Sequence, residues 1–137
     1  IKFDLGVDSA RNHSDPSTYA VSHPLYPQSP SMHWSWNSGY IFLRLEGLVD
    51  TSAAINGTVD GPWEMHIGMD SFRTSVELDI DLTVSADSHP GVNVNFDLAH
   101  LLTGIDLGGA DISTHTMDNM PLANKLKSNL ATSFTVE

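Results

Sequence analysis

Seven histidines and three tryptophans, with no cysteine, are the side chains through which this chain could do chemistry. His13, His23, His33 and His66 share one half of the sequence with Trp34, Trp36 and Trp63. Imidazole is the commonest protein metal ligand. Without thiolates, a borderline or soft metal must be held by nitrogen, helped by oxygen or methionine sulfur. His66 lies in Trp63-Glu64-Met65-His66-Ile67-Gly68-Met69-Asp70. On a strand, Glu64, His66 and Gly68 share one face and Met65, Ile67 and Met69 the other, so His66 projects away from the apolar packing. His13, in Arg11-Asn12-His13-Ser14-Asp15-Pro16, opens a long loop. A strand histidine and a loop histidine make a two-nitrogen pair. Such a pair suits Cu(I), which accepts low coordination numbers, whereas zinc asks for further ligands. The competing reading of each is an ordinary polar surface residue.

The other histidines read as structural. His23 and His33 flank a proline-rich turn, His89 precedes Pro90, His100 lies near a short helix, and His115, after Ser113-Thr114, reads as a helix opener. Trp34 and Trp36 alternate with His33 and Ser35 and are expected on one strand face. They serve either as packing, as a sugar-stacking platform with Tyr40, or as an indole face against a cation. Catalytic signatures are missing from the sequence. There is no nucleophile elbow, no His-Glu-x-x-His and no phosphate-binding glycine loop. A hydrolytic zinc enzyme therefore has no recognisable ligand–base motif behind it. Asp79 and Asp81 stand two apart, as a solvated strand face does. Asp15, Asp79, Asp81 and Asp87 could offer oxygens to calcium, without calcium-loop spacing.

Six Lys plus Arg against 17 Asp plus Glu give a net charge of −11. Such a surface repels nucleic acid and anionic lipid and suits cations or simple solubility. The longest strongly apolar run, residues 40–43, is far short of the roughly 18 residues that a transmembrane helix needs. The chain opens on Ile1 inside an expected strand, with no visible signal peptide, so we expect a processed protein or fragment with strands before Ile1.

These residues must be positioned by an expected set of elements. Ile41, Leu43 and Leu45 alternate with Phe42, Arg44 and Glu46, which predicts a strand. Asn56-Gly57 and Asp60-Gly61 predict the turn, and residues 63–69 the return strand. Residues 73–86 alternate Val76, Leu78, Ile80, Leu82 and Val84 against polar neighbours, predicting a long half-solvated strand. Residues 91–98 predict another, with Val92, Val94, Phe96 and Leu98 inward. Residues 99–103 predict a helical turn. Leu122, Leu126 and Leu130, with Pro121 in the first turn, predict a helix within residues 114–134. A short strand at 134–136 follows. The expected fold is a single, mostly β domain over residues 1–137: an antiparallel β-sandwich or flattened barrel with a short C-terminal helix.

The segments Asn12-His13-Ser14-Asp15-Pro16 and Met32-His33-Trp34-Ser35-Trp36-Asn37-Ser38-Gly39-Tyr40-Ile41-Phe42-Leu43-Arg44-Leu45-Glu46-Gly47 resemble the MbnP-like family of bacterial copper-binding proteins. His66-Ile67-Gly68 and Asn129-Leu130-Ala131-Thr132-Ser133-Phe134 add to the resemblance, which runs over most of the chain. It implies a mostly β protein of the periplasm, cell surface or medium. Such a protein binds one Cu(I) for copper acquisition, storage or homeostasis, and is not an enzyme. It further implies two histidine ligands and a kynurenine, made from tryptophan by a dihaem peroxidase-like partner. The histidines map to His13 and His66. Trp34 is the first choice for the modified residue, followed by Trp36 and Trp63. The chain departs from the family pattern at His33, where an aromatic is common, and at Met69 and Asp70, where small polar residues are expected. The main alternative is a carbohydrate- or small-ligand-binding β-sandwich using Trp34, Trp36 and Tyr40.

Overall fold

Alternating apolar residues build the centre of the molecule. The computed structural model describes residues 1–27, 31–34, 39–54, 56–87 and 89–137. Strands β2 (Ile41–Val49) and β3 (Gly61–Gly68) form the predicted antiparallel hairpin, with Arg44 opposite His66 and Glu46 opposite Glu64. A register shift between Ile41 and Leu43 bends the start of β2. Met65 and Ile67, from the inner face of β3, are essentially buried. They pack with Leu122, Ala123, Leu126 and Leu130 of helix α3 (Met120–Leu130), together with Phe72 and Leu101. The i, i+4 leucine spacing thus lays the predicted stripe on the sheet. Asn119 caps α3 by accepting the Leu122 N–H, and Pro121 sits in its first turn.

A third strand joins this sheet from far along the chain. β6 (Ser113–Thr114) runs parallel to β3, pairing Ser113 with Glu64 and Thr114 with Met65. Residues 113 and 114, predicted as the approach to a helix, are therefore strand. The sheet is mixed rather than purely antiparallel. Two small antiparallel pairs complete the fold: β1 (Lys2–Leu5) with β4 (Thr74–Glu77), and β5 (Val94–Phe96) with β7 (Phe134–Val136). The sheets are open and do not close into a barrel, so the sandwich-like expectation describes the fold. The remaining helices are short: α1 (Ser9–Asn12), inside the region predicted as loop, and α2 (Leu98–Leu101), the predicted helical turn.

Two strand expectations fail in instructive ways. The alternation from residue 73 continues past Glu77, but β4 ends there, and Ile1 and Leu78 exchange the outermost backbone hydrogen bonds of its pairing with β1. Leu82 and Val84 beyond it are exposed. In β5 the residues predicted to face inward, Val94 and Phe96, are about two-fifths exposed, since only β7 lies beside them. No helix among the described residues is long and apolar enough to cross a membrane.

Candidate metal centre

The outer face of β3 carries the chemistry. As the strand alternation requires, Glu64, His66 and Gly68 turn away from the core that Met65 and Ile67 enter. His66 is nonetheless only 8% exposed, because other groups close over it. The parallel register brings the first. With Ser113 beside Glu64 and Thr114 beside Met65, the next residue, His115, arrives beside His66. The two imidazoles meet edge to face, with centroids 5.0 Å apart. Donor atoms of Glu64, His66 and His115 all lie within 4.8 Å of one another. His115 Nε2 is 3.6 Å from Glu64 Oε1.

Carboxylates orient both rings. An ionised carboxylate can only accept, so the 2.7 Å contact of His66 Nε2 with Glu46 Oε1 puts the proton on that nitrogen and leaves the Nδ1 lone pair open. The imidazole and then the neighbouring Arg44 hold the Glu46 carboxyl below its ordinary range. His115 is the mirror case. Its Nδ1 donates to Asp118 Oδ2 at 3.0 Å, and its Nε2 faces Glu64. Burial raises the Asp118 carboxyl, but hydrogen bonds from the His115 backbone and ring outweigh it and leave the group below its ordinary value.

Thr116 fixes the loop that carries His115. This fully buried, β-branched residue holds φ at +71°, a region such residues rarely enter. Three hydrogen bonds over-determine it. Its N–H donates to Thr114 Oγ1 at 3.1 Å, its hydroxyl accepts the Gly68 N–H at 3.0 Å, and the same hydroxyl donates to the His66 carbonyl at 3.2 Å. Backbone strain of this kind costs about 1–3 kcal/mol and persists only where the surroundings enforce it. The loop after β6 is thereby bolted to β3 at His66 and Gly68, on either side of Ile67.

Trp34 links this face to a second cluster. Residues 32–34 and 39–41 pair through Trp34 N–H to Gly39 O and Ile41 N–H to Met32 O, with His33 bridged to Tyr40. The Trp34 ring packs over Gly68, on the face that bears His66; any side chain at 68 would meet that ring and the Tyr40 carbonyl. Trp34 also lines a cavity of about 400 Å³ with His13, Met69 and Asp70. His13 Nε2 is 3.2 Å from Asp70 Oδ2. Buried Asn12 ties this corner together, donating to Asp70 Oδ1 and accepting the Tyr40 N–H, each at 2.7 Å. The Ser9 hydroxyl, the Asn12 amide and His13 hold the Asp70 carboxyl below its ordinary range. Met69, at φ +78°, is the other non-glycine residue with positive φ among those described.

Of the predicted site residues, His66 is therefore at the centre of a donor cluster and Trp34 is beside it. His13 lies beyond Trp34 with Asp70 and is not a member of that cluster. Trp63 packs against Gly47, and Trp36 lies outside the described residues. His115, predicted as a helix opener, is the residue that sequence reasoning missed. No local signal marks it, since Ser113, Thr114 and His115 are all polar and carry no strand alternation. Asp15 caps a 3₁₀ turn through Ser17, and neither it nor Asp79, Asp81 and Asp87 joins a donor group among the described residues, so calcium gains no support. Of the expected sugar platform, Trp34 and Tyr40 are each only 5% exposed and so offer no flat aromatic face, and Trp36 lies outside the described residues.

Two imidazoles and one carboxylate, in a strongly acidic chain, are a donor set for a transition-metal ion. The architecture is thus that of an open-sheet β protein with metal-type donors gathered on one strand face. The MbnP family model matches residues 1–120, and the chain belongs to that family, which makes it a copper-associated protein. No curated protein and no solved structure matches the chain. Copper fits the residues present: two imidazoles beside a carboxylate, no thiolate, and a charge that favours cations.

Proposed function

We propose that this protein binds Cu(I) on the outer face of β3 and serves copper acquisition, storage or homeostasis outside the cytoplasm, in the periplasm or at the cell surface, without catalysing a reaction. One observation carries the reading: His66, a nearly buried imidazole on a rigid strand, has a second imidazole at 5.0 Å and an open nitrogen. Family membership supplies the metal. Trp34 is the tryptophan best placed to contribute, since its ring covers Gly68, two positions along the same face. Oxidative cleavage of the indole C2–C3 bond would turn C3 into a ketone and C2 into an N-formyl group. Hydrolytic loss of that group as formate would leave the aniline nitrogen of a kynurenine next to the copper position. The oxidant would come from a dihaem peroxidase-like partner. His13, on the far side of Trp34, is the second histidine of the resemblance, and its ring would have to leave Asp70 to join His66.

Titration of Cu(I) against a chromophoric competitor tests the reading. One tight site is expected in the natural protein and its loss in His66→Ala. Unchanged stoichiometry and affinity in His66→Ala would sink the proposal. Intact mass and peptide mapping of protein from its native source place the modified tryptophan at Trp34; an unmodified Trp34 beside a modified Trp36 or Trp63 rejects that assignment.

A further inference from the structure

We infer that His115 and Glu64 complete the site around His66, forming a two-imidazole, one-carboxylate centre that takes a divalent ion, Cu(II) or Zn(II), with Asp118 as the residue that positions His115. The inference deepens the copper reading and rests on it for the place of the site, but not for the ligand set.

The geometry argues for it at each donor. Two ligand atoms each about 2.1 Å from an ion stand roughly 3.4 Å apart at a tetrahedral angle. His115 Nε2 and Glu64 Oε1 are 3.6 Å apart, near that spacing and too far for a good hydrogen bond. The whole set lies within 4.8 Å, so an ion requires rotamer adjustment rather than movement of the backbone. Each imidazole has one nitrogen held by a carboxylate outside the donor set, Nε2 of His66 by Glu46 and Nδ1 of His115 by Asp118. This is the arrangement that metal-bound histidines ordinarily show, because it fixes the tautomer and raises ligand basicity. Thr116 locks the backbone between His66 and His115 at a strained φ, and strain maintained beside a cluster of ligating groups marks a preorganised site. A cleft of about 450 Å³, lined by Glu46, Glu64, Trp63 and Ile112, adjoins the donor set at Glu64.

The chemistry sets the ion class. Cu(I) is satisfied by two nitrogens. An anionic oxygen adds most for a divalent ion, and two histidines with a glutamate, plus one open position, is a recognised zinc set. His13, committed to Asp70 in the neighbouring cavity, is dispensable for this ion.

The test is Zn(II) and Cu(II) titration of the whole chain by calorimetry and chelator competition, with ¹⁵N-imidazole NMR on Zn(II) addition. In the natural protein one divalent ion binds, the His66 and His115 ring signals shift, and the His13 signal stays. His115→Ala weakens binding by about a hundredfold or more, and His13→Ala leaves it unchanged. Glu64→Gln weakens Zn(II) far more than Cu(I). Asp118→Asn costs about 10–100-fold in affinity and moves the pH midpoint of Zn(II) binding, a readout that loss of folding alone would not give. An unmoved His115 signal in the natural protein overturns the inference whether or not the variants fold. So does a His115→Ala protein that binds divalent ions normally. If Cu(I) still binds and depends on His66, the copper reading stands without it; if neither ion binds, both fall.

Discussion

Replacing Thr116 by valine deletes one hydroxyl while keeping the volume, the β-branch and the strained φ of +71°. The hydroxyl accepts from the Gly68 N–H at 3.0 Å and donates to the His66 carbonyl at 3.2 Å, and all three residues are buried. Valine leaves the Gly68 N–H without an acceptor, and an orphaned buried donor costs about 1–3 kcal/mol. The His66 carbonyl loses a weaker bond, while the Thr116 N–H keeps Thr114. The expected loss is therefore about 2 kcal/mol. Urea denaturation reads it directly. With a slope of about 2 kcal/mol/M, the midpoint falls by about 1 M and the slope stays the same. Thr116→Ser keeps the hydroxyl and loses one methyl, costing about 1 kcal/mol. A valine variant within about 0.5 kcal/mol of the natural chain, or a serine variant less stable than the valine one, would refute the claim that this hydroxyl bolts the His115 loop to β3.

Gly68→Ala places a methyl where the Trp34 ring and Tyr40 carbonyl already stand, so Trp34 is displaced and its emission shifts red; an unchanged emission spectrum speaks against the close packing. Leu126→Ala empties a fully buried site between α3 and β3 and costs about 2–5 kcal/mol by calorimetric or denaturant unfolding. The Asp4 carboxyl is held below its ordinary 3.8 by the Ser75 hydroxyl, with Arg73 adding to it. Its folded value is the lower one, so its contribution is present above pH 3.8 and is lost as the pH falls through the folded value. Asp4→Asn accordingly flattens the acid limb of the stability curve, and a natural-type limb in that variant contradicts the assignment.

Residues that pattern locally were legible in the sequence; residues that meet through distant pairing were not. The β2–β3 hairpin showed itself because Ile41, Leu43 and Leu45 alternate and a turn follows. The outward aim of His66 came from the same period. The leucines of α3 spoke through their spacing. By contrast, the alternation beyond Glu77 forms no strand among the described residues, and Leu82 and Val84 stay exposed. His115 depended on a two-residue parallel bridge with β3, and no local pattern can foresee which strand a remote pair will join. The His13–His66 pair came from reading one histidine on a strand and one on a loop, and from the family resemblance. The structure brings His13 to Asp70 and His115 to His66.

Thr116 and His66 are 50 residues apart in the chain, and the bridge between them is one short parallel pair. An ion held by His66 and His115 would therefore act as a clasp on a long chain loop. An ion that binds only the folded chain adds about 2.7 kcal/mol of stability at a hundredfold excess over its dissociation constant. Protease resistance and melting temperature would then report the metal status of the surroundings, and the emptied protein would open first at β6.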